Sequence, residues 1–315
     1  MKKEKLILFA GPASKGLGSQ IARYLNEPLG YIQVGAFSDG ETSIEVSQNI
    51  RGMDVFLVQS TYQPGNEHLM QLLLMADACK RASAKSVSAV IPYFGYSRQD
   101  RRPRSTRGPV SAKLVADLIE TADIKRLITV DLHADQIEGF FSIPVDNIYS
   151  STILMSDMWR QGYQDQVIVS PDVGGVERTR ALSRRINSNI AIIDKRRPMA
   201  GKSEVMNIVG NVKNKNCVIV DDIIDSGGTI VNAVKALKDK GAKDVYVYIT
   251  HAVLSGEAVN KIEKSQIKKL ITTDTIDNSK KIGKSKKIEI ISLAPMISEA
   301  MKRIANSTSV SSLFK

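Results

Sequence analysis

The chain has 315 residues, enough for two domains, and its 43% apolar and 24% charged residues suit a globular protein with substantial cores. Its two cysteines, Cys79 and Cys217, make no disulfide framework and point to a reducing cytosol, and no apolar run approaches the length of a membrane span. The formal net charge of +11 admits a nucleic-acid partner, but the cations are dispersed and aromatic residues make up only 5%, so small polyanionic substrates explain the basic clusters at least as well.

In chain order, MKKEKLILFAGPASKG starts basic, but its short apolar run LILFA fits a first strand better than a signal peptide. A helix follows near Gly18–Leu25. Two glycine patterns here are decoys. Gly11 to Gly16 has the spacing of a P-loop, but Leu17 and Gly18 stand where Lys and Ser/Thr are required, and Gly16–Gly18 lacks the third glycine of a dinucleotide fingerprint. FSDGETSIEV (Phe37 to Val46) offers an exposed aromatic, acids and a tight Asp-Gly turn, and by itself reads as a hairpin. DVFLVQS is a strand, Glu67 to Ala82 a helix and SVSAVIPYF the next strand. PYFGYSRQDRRPRSTRGP then places Arg98, Gln99, Asp100, Arg101, Arg102, Arg104 and Arg107 on one loop. That many guanidinium groups suit a polyphosphate or an anionic effector; a solvated loop is the plain alternative.

A helix near Ala112–Thr121 leads to the strand RLITVDL and to DLHADQIEGFF, where His133 sits between Asp131 and Asp135 as a metal ligand or a structural histidine. A domain boundary falls near Val145–Ile153. QVIVSP is a strand ending in SPDVGG, whose Asp172 suits a hard cation such as Mg²⁺. A helix near Val176–Ile186 and the strand IAIID follow. DKRRP then sets Lys195, Arg196 and Arg197 at a strand end with the polar segment MAGKSEV beyond, a flap over an anionic transition state or a solvated basic turn.

VIVDDIIDSGGTI (Val218 to Ile230) is the most informative stretch. A short buried strand from Cys217 to Val220 leads into a loop, then the helix TIVNAVKALKDKG and the strand DVYVYIT. The loop thus lies at the carboxyl end of its strand, where open α/β sheets bind ligands. Carboxylates repel phosphate, while a glycine-rich helix start attracts it. A sugar phosphate reconciles the two: Asp221 and Asp222 accept hydrogen bonds from ribose hydroxyls, and the Gly-Gly-Thr end cradles the phosphate. Alternatively the acids only charge the helix start. KKIGKSKK (Lys280 to Lys287) reads as a solvated loop, and the chain closes with an amphipathic helix and polar tail.

The alternation of strands and helices indicates parallel α/β sheets. VFLVQSTYQPGNEHLM, from Val55, echoes CVIVDDIIDSGGTIVN, from Cys217, as if the halves were copies of one fold. In the first copy Gln59 and Ser60 replace the Asp pair, so that copy has lost a ribose-phosphate site.

With FSDGE, RGMDVFLVQS, YFGYSRQDRR, VDLHADQIEGFF, VSPDVGGV, IIDKRRP, VIVDDIIDSGGT and SVSSLF in place, essentially the whole chain resembles the ribose-phosphate pyrophosphokinases of the phosphate-dependent, hexameric class. The resemblance implies two duplicated phosphoribosyltransferase-type domains, each a mostly parallel sheet flanked by helices. Residues 1–147 form the first, with the tail 296–315 packing back on it, and residues 148–295 form the second. It implies transfer of a pyrophosphoryl group from ATP to ribose 5-phosphate, giving AMP and 5-phosphoribosyl 1-pyrophosphate, with Mg²⁺ at His133 and Asp172. ATP would be held by Arg98, Gln99 and Asp100, and by Phe37, Asp39, Gly40 and Glu41 of a neighbouring subunit. Lys195 and Arg197 would be catalytic, Arg197 also touching ribose 5-phosphate. Asp221 and Asp222 would take the ribose hydroxyls, and Asp225, Ser226, Gly227, Gly228 and Thr229 the 5-phosphate. Arg51, Arg104, Ser309, Ser311 and Phe314 would form a regulatory site for phosphate as activator and ADP as inhibitor. A cytoplasmic homohexamer with neither a nucleic-acid nor a membrane partner follows. Asn49 stands where some relatives carry serine, and NSKKIGKSKKIEI is short and basic for the family, with surface charge its expected role. The competing classes are a phosphoribosyltransferase, a non-catalytic regulatory homologue and a nucleic-acid-binding protein.

Overall fold

The computed structural model describes residues 6–102, 107–196, 205–283 and 285–314. Arg104 and Arg197 lie outside these residues, and of Lys195 only the backbone is described. Contacts group the chain into two compact units: Met1–Tyr149 with Thr275–Asp277 and Ser292–Lys315, and Ser150–Asp274 with Asn278–Ile291.

The first unit contains β1 (Leu6–Ala10), α1 (Lys15–Leu25), β2 (Ile32–Ala36), β3 (Thr42–Val46), β4 (Asp54–Val58), α2 (Gly65–Arg81), β5 (Ser86–Ile91), α3 (Ser111–Thr121), β6 (Arg126–Val130) and β7 (Val145–Ile148). Five parallel strands run in the order β1-β4-β5-β6-β7, and β2–β3 is a separate antiparallel hairpin. The central strands are apolar at consecutive positions, Val55 to Val58 for example, because a parallel sheet is covered on both faces. Helix α2 buries Leu69, Leu72, Met75, Ala76 and Cys79, the stripe of a helix laid on a sheet. The decoy glycines have a packing reason. A Cβ on Gly11 would lie 2.4 Å from Gln59 Oε1, and one on Gly18 would lie 2.4 Å from the Ala10 Cβ. The C-terminal helix Ala294–Ala305 docks on α1, where Lys302 Nζ donates to Tyr24 O at 2.9 Å and Ser292 Oγ to Gln20 Oε1 at 2.9 Å.

The second unit contains α4 (Ser151–Gln161), β8 (Gln166–Ser170), α5 (Val176–Arg185), β9 (Asn189–Arg196), β10 (Val205–Val209), β11 (Asn216–Ile224), α6 (Gly228–Asp239), β12 (Val245–Ala252), α7 (Ala258–Lys264), β13 (Lys269–Thr273), α8 (Ser279–Ile282) and β14 (Ile288–Ile291). Its sheet runs β10-β9-β8-β11-β12-β13-β14, and only β9–β10 is antiparallel. The order β8-β11-β12-β13-β14 repeats β1-β4-β5-β6-β7 along the same chain path, with a hairpin between the first two strands of each set. The second sheet is thus a copy of the first, with its hairpin annexed to the edge.

Two sequence expectations change. First, β11 does not stop at Val220 but runs through Asp221 and Asp222 to Ile224, because β12 continues to pair with it up to Ile224↔Ala252. Second, Lys280–Lys287 is not simply a solvated loop. Ser279–Ile282 is a helical turn, Lys281 Nζ donates to Val253 O at 3.1 Å, and Lys287 Nζ donates to Glu263 O and Ser265 O, each at 2.7 Å. Lys287 thereby satisfies carbonyls that the end of α7 leaves without partners. Strands β13 and β14 escape the sequence reading because they are short, five and four residues, and β13 ends in two threonines. In LITT, Thr273 Oγ1 is buried and donates to Thr250 O at 2.7 Å, so its hydroxyl is satisfied by the neighbouring strand.

Candidate sugar-phosphate site

In the second sheet the connection from β8 runs to β9 on one side, and that from β11 runs to β12 on the other. The crevice between the carboxyl ends of β8 and β11 is therefore the topological switch point, where open α/β sheets bind ligands. Pairing between β8 and β11 ends at Ile219↔Val169, two residues before the acid pair. Asp221 and Asp222 thus remain strand-like on the β12 side and face the crevice region where β8 has turned away.

Three groups meet there. Asp222, only 4% exposed, places Oδ1 2.9 Å from Arg178 Nη1, and Asp221 places Oδ1 3.3 Å from the same nitrogen. Asp221 Oδ1 also accepts the Asp222 N–H at 2.9 Å. The Asp221 carboxyl is pushed up to about 8, chiefly by burial and then by Asp222, against the pull of the Arg178 guanidinium. Asp172 lies in the turn between β8 and α5. Its Oδ1 accepts the Gly175 N–H at 3.0 Å, and its charge adds to the load on Asp221. The sequence reading missed Arg178. Its only signal was a cation in the first turn after Gly175, on the helix that leaves the neighbouring strand.

Downstream, Ser255 N and Oγ both donate to Asp225, the N–H to the backbone oxygen at 3.2 Å and the hydroxyl to Oδ1. Gly227 takes φ +76°, which a Cβ disfavours, and lets the chain turn into α6. The start of α6 carries no side-chain cap, so the N–H groups of its first turn are available to an anion. Lys261 Nζ donates to Ser226 O at 3.3 Å, setting a second unforeseen cation beside this turn. In the first copy the equivalent position is filled from within. Gln59 and Ser60 are fully buried: Gln59 Oε1 accepts the Ala13 N–H at 3.0 Å, its Nε2 donates to Gln71 Oε1 at 2.9 Å, and Ser60 Oγ accepts the Tyr93 N–H at 3.1 Å.

The remaining candidates sit at defined places in the first unit. Phe37, 61% exposed, opens the tip of the β2–β3 hairpin. Phe37 N donates to Glu41 O at 2.8 Å, Glu41 N to Asp39 Oδ1 at 3.1 Å, and Gly40 takes φ +92°. Arg98 is exposed on the loop after β5. Gln99 is tied to the start of α3, its backbone oxygen accepting the Ala112 N–H at 3.2 Å, and Asp100 is buried and accepts Gln136 Nε2 at 2.6 Å. His133 is exposed after β6. Arg51 N donates to Asn49 Oδ1 at 3.1 Å, a turn that a serine hydroxyl also supports. In the tail, Ser309 Oγ lies 3.0 Å from Ser311 Oγ, and Phe314 packs edge-on against Tyr149. Ser309 lines a surface cavity of about 440 Å³ with Lys302 and Arg303. Lys195 is in β9, opposite Met206 of β10, so its segment is one arm of a hairpin. Among the described residues no three His, Cys, Asp or Glu side chains form a ready metal cluster, and no helix is long and apolar enough to cross a membrane.

The fold and this crevice define a duplicated, mostly parallel α/β protein with a carboxylate pair and an uncapped helix start at the switch point of its second sheet. Residues 6–122 match the N-terminal domain of ribose phosphate pyrophosphokinase, and residues 196–315 match the phosphoribosyl synthetase-associated domain. A ribose-phosphate pyrophosphokinase of Ralstonia nicotianae is 51% identical over 100% of this chain and 99% of its own, and one of Nitrosomonas europaea is 50% identical over the same shares. The crystal structure of phosphoribosylpyrophosphate synthetase from Mycobacterium smegmatis superposes with a TM-score of 0.91 at 36% identity, over 96% of this chain and 99% of that one. The chain belongs to the ribose-phosphate pyrophosphokinase family.

Proposed function

We infer that the chain transfers the β,γ-pyrophosphoryl group of ATP to ribose 5-phosphate, giving AMP and the 5-phosphoribosyl 1-pyrophosphate used in nucleotide biosynthesis. Beyond membership of the family, the observation that carries this reading is the pairing of Asp221 and Asp222 with an uncapped helix start at one crevice. Carboxylates accept hydrogen bonds from a diol, and first-turn N–H groups donate to a phosphate. A phosphate without a sugar gives no use for the acids.

In this reading Asp221 and Asp222 accept ribose hydroxyls, and Asp225, Ser226, Gly227, Gly228 and Thr229 wrap the 5-phosphate. The C1 hydroxyl is thereby aimed. Its oxygen bonds to the β-phosphorus, the bond from that phosphorus to the α,β-bridging oxygen breaks, AMP departs with the bridging oxygen, and the hydroxyl proton passes to solvent. Such a transfer needs alignment and charge neutralisation more than covalent help. Lys195 and Arg197 supply positive charge to the phosphoryl oxygens, and Arg197 also contacts ribose 5-phosphate. Arg98, Gln99 and Asp100 hold ATP, with Phe37, Asp39, Gly40 and Glu41 reaching a neighbouring subunit's adenine. Mg²⁺ fits the donors: Asp172 keeps Oδ2 clear of its own turn, and the carboxylates that crowd Asp221 favour a hard cation nearby. Asp172 would hold the ion through oxygen, with His133 acting directly or through a coordinated water. When bound, the ion neutralises phosphate charge and helps orient ATP. The free, buried Cys79 and Cys217 suit the cytoplasm. A homohexamer regulated by phosphate and ADP through Arg51, Arg104, Ser309, Ser311 and Phe314 completes the proposal.

The test is release of AMP from ATP, with and without ribose 5-phosphate, Mg²⁺ and inorganic phosphate. AMP formation that requires ribose 5-phosphate is the expected result. Nucleobase-dependent consumption of 5-phosphoribosyl 1-pyrophosphate without AMP formation would instead establish a phosphoribosyltransferase.

A further inference from the structure

The role given to Asp221 and Asp222 leaves Arg178 out, although it is the cation that touches both. It projects from the first turn of α5, reaches the gap left where β8 and β11 stop pairing, and meets both Oδ1 atoms through one nitrogen. Asp221 Oδ1 is thus engaged twice, by Arg178 and by the Asp222 N–H.

We propose that Arg178 is a positioning residue for substrate: by holding Oδ1 of both carboxylates toward α5 it fixes the orientation in which the acid pair meets the ribose hydroxyls. Two adjacent acids at 17% and 6% side-chain exposure repel each other, and a cation that bridges them offsets that repulsion. Arg178 does so through a single nitrogen shared by the two acids. Burial and Asp222 drive the Asp221 carboxyl upward, and Arg178 opposes them. The Arg178 side chain is 30% exposed, so it stands at the edge of the crevice and not beneath it. The inference rests on the reading of the acid pair as the ribose acceptors.

Arg178→Gln, Arg178→Lys, Asp222→Asn and the double variant Arg178→Gln/Asp222→Asn test it. The measurements are kcat, KM for each substrate, calorimetric affinity for ribose 5-phosphate, and melting temperature. Arg178→Gln is expected to raise KM and Kd for ribose 5-phosphate roughly tenfold or more, the scale of one charge-assisted hydrogen bond. The KM for ATP should stay within about threefold, a difference of well under 1 kcal/mol. Arg178→Lys should recover part of the loss. In the Asp222→Asn background the arginine change should add little, because its partner is gone. An unchanged ribose 5-phosphate KM in Arg178→Gln overturns the proposal. So does a loss of kcat and of both affinities in step with a fall in melting temperature, which marks a purely structural ion pair. Wild-type protein that neither binds nor turns over ribose 5-phosphate overturns the underlying function as well, and needs no variant to detect.

Discussion

At the scale of single residues, the informative feature is a carboxylate held against its preference. Asp221 is pushed up to about 8 by burial and by Asp222, from an ordinary value of 3.8. The folded state therefore favours the neutral form. The associated stability is fully present below about pH 4 and is lost as pH rises through about 8. Asp221→Asn, neutral at every pH, escapes that loss. Its melting temperature is expected to gain on the wild type steadily between pH 4 and 8 and to level off above, while activity falls because a hydroxyl acceptor is gone. A melting difference that does not change with pH would mean that Arg178 already compensates the charge. Burying an acid in a site that a polyhydroxyl ligand or cation completes is a common compromise between stability and function. Asn49 shows the opposite case: the departure from serine keeps the local turn through Asn49 Oδ1, so the backbone geometry at Arg51 survives.

At the scale of elements, chain termini of strands and helices carry most of the chemistry. Strand β11 outlasts β8, which opens a place for Arg178, and α6 begins without a cap, which leaves donors for a phosphate. The end of α7 is treated differently, because Lys287 fills it. Replacing Lys287 by methionine keeps the aliphatic stem but removes the donor to Glu263 O and Ser265 O. The expected cost is about 1 kcal/mol, from lost hydrogen bonds to helix-end carbonyls, with kcat unchanged. Thermal unfolding and turnover measured together decide it: equal melting temperatures would return this lysine to surface charge alone.

At the scale of the whole molecule, one fold serves twice with different chemistry. The first copy closes its loop with Gln59 and Ser60, buried and hydrogen-bonded from within, and the second places Asp221 and Asp222 against Arg178, where the proposed function puts the ribose. The β2–β3 hairpin of the first copy presents Phe37 to solvent, and in the proposed hexamer this tip reaches a neighbour's ATP. Phe37→Ala should then bind ATP poorly, and Asp222→Ala should be inactive for want of ribose 5-phosphate. Across an isologous contact between the two variants, one site collects both defects and the other neither. Denaturing and refolding them together should give activity well above the sum of the separate preparations. Mixed assemblies with no gain would mean that each chain builds its site alone.

Much of this was legible from the order of residues. Alternating apolar runs and helical stripes define parallel α/β sheets, and the two copies declare themselves through the matching segments from Val55 and Cys217. The acids and glycines of VIVDDIIDSGGTI carry the proposal of a sugar phosphate because carboxylates accept from hydroxyls and helix-start N–H groups donate to phosphate. Local pattern could not reveal what depends on a neighbour. LITT and IEII become strands because they pair edge to edge with neighbours from elsewhere in the chain, and Lys287 settles on carbonyls at the end of a helix more than twenty residues earlier. Asp221 and Arg178 are 43 residues apart in sequence. Only the pairing of β8 with β11 brings α5 over the acid pair, so the cation that touches both carboxylates, and the burial that raises one of them, are properties of the tertiary structure.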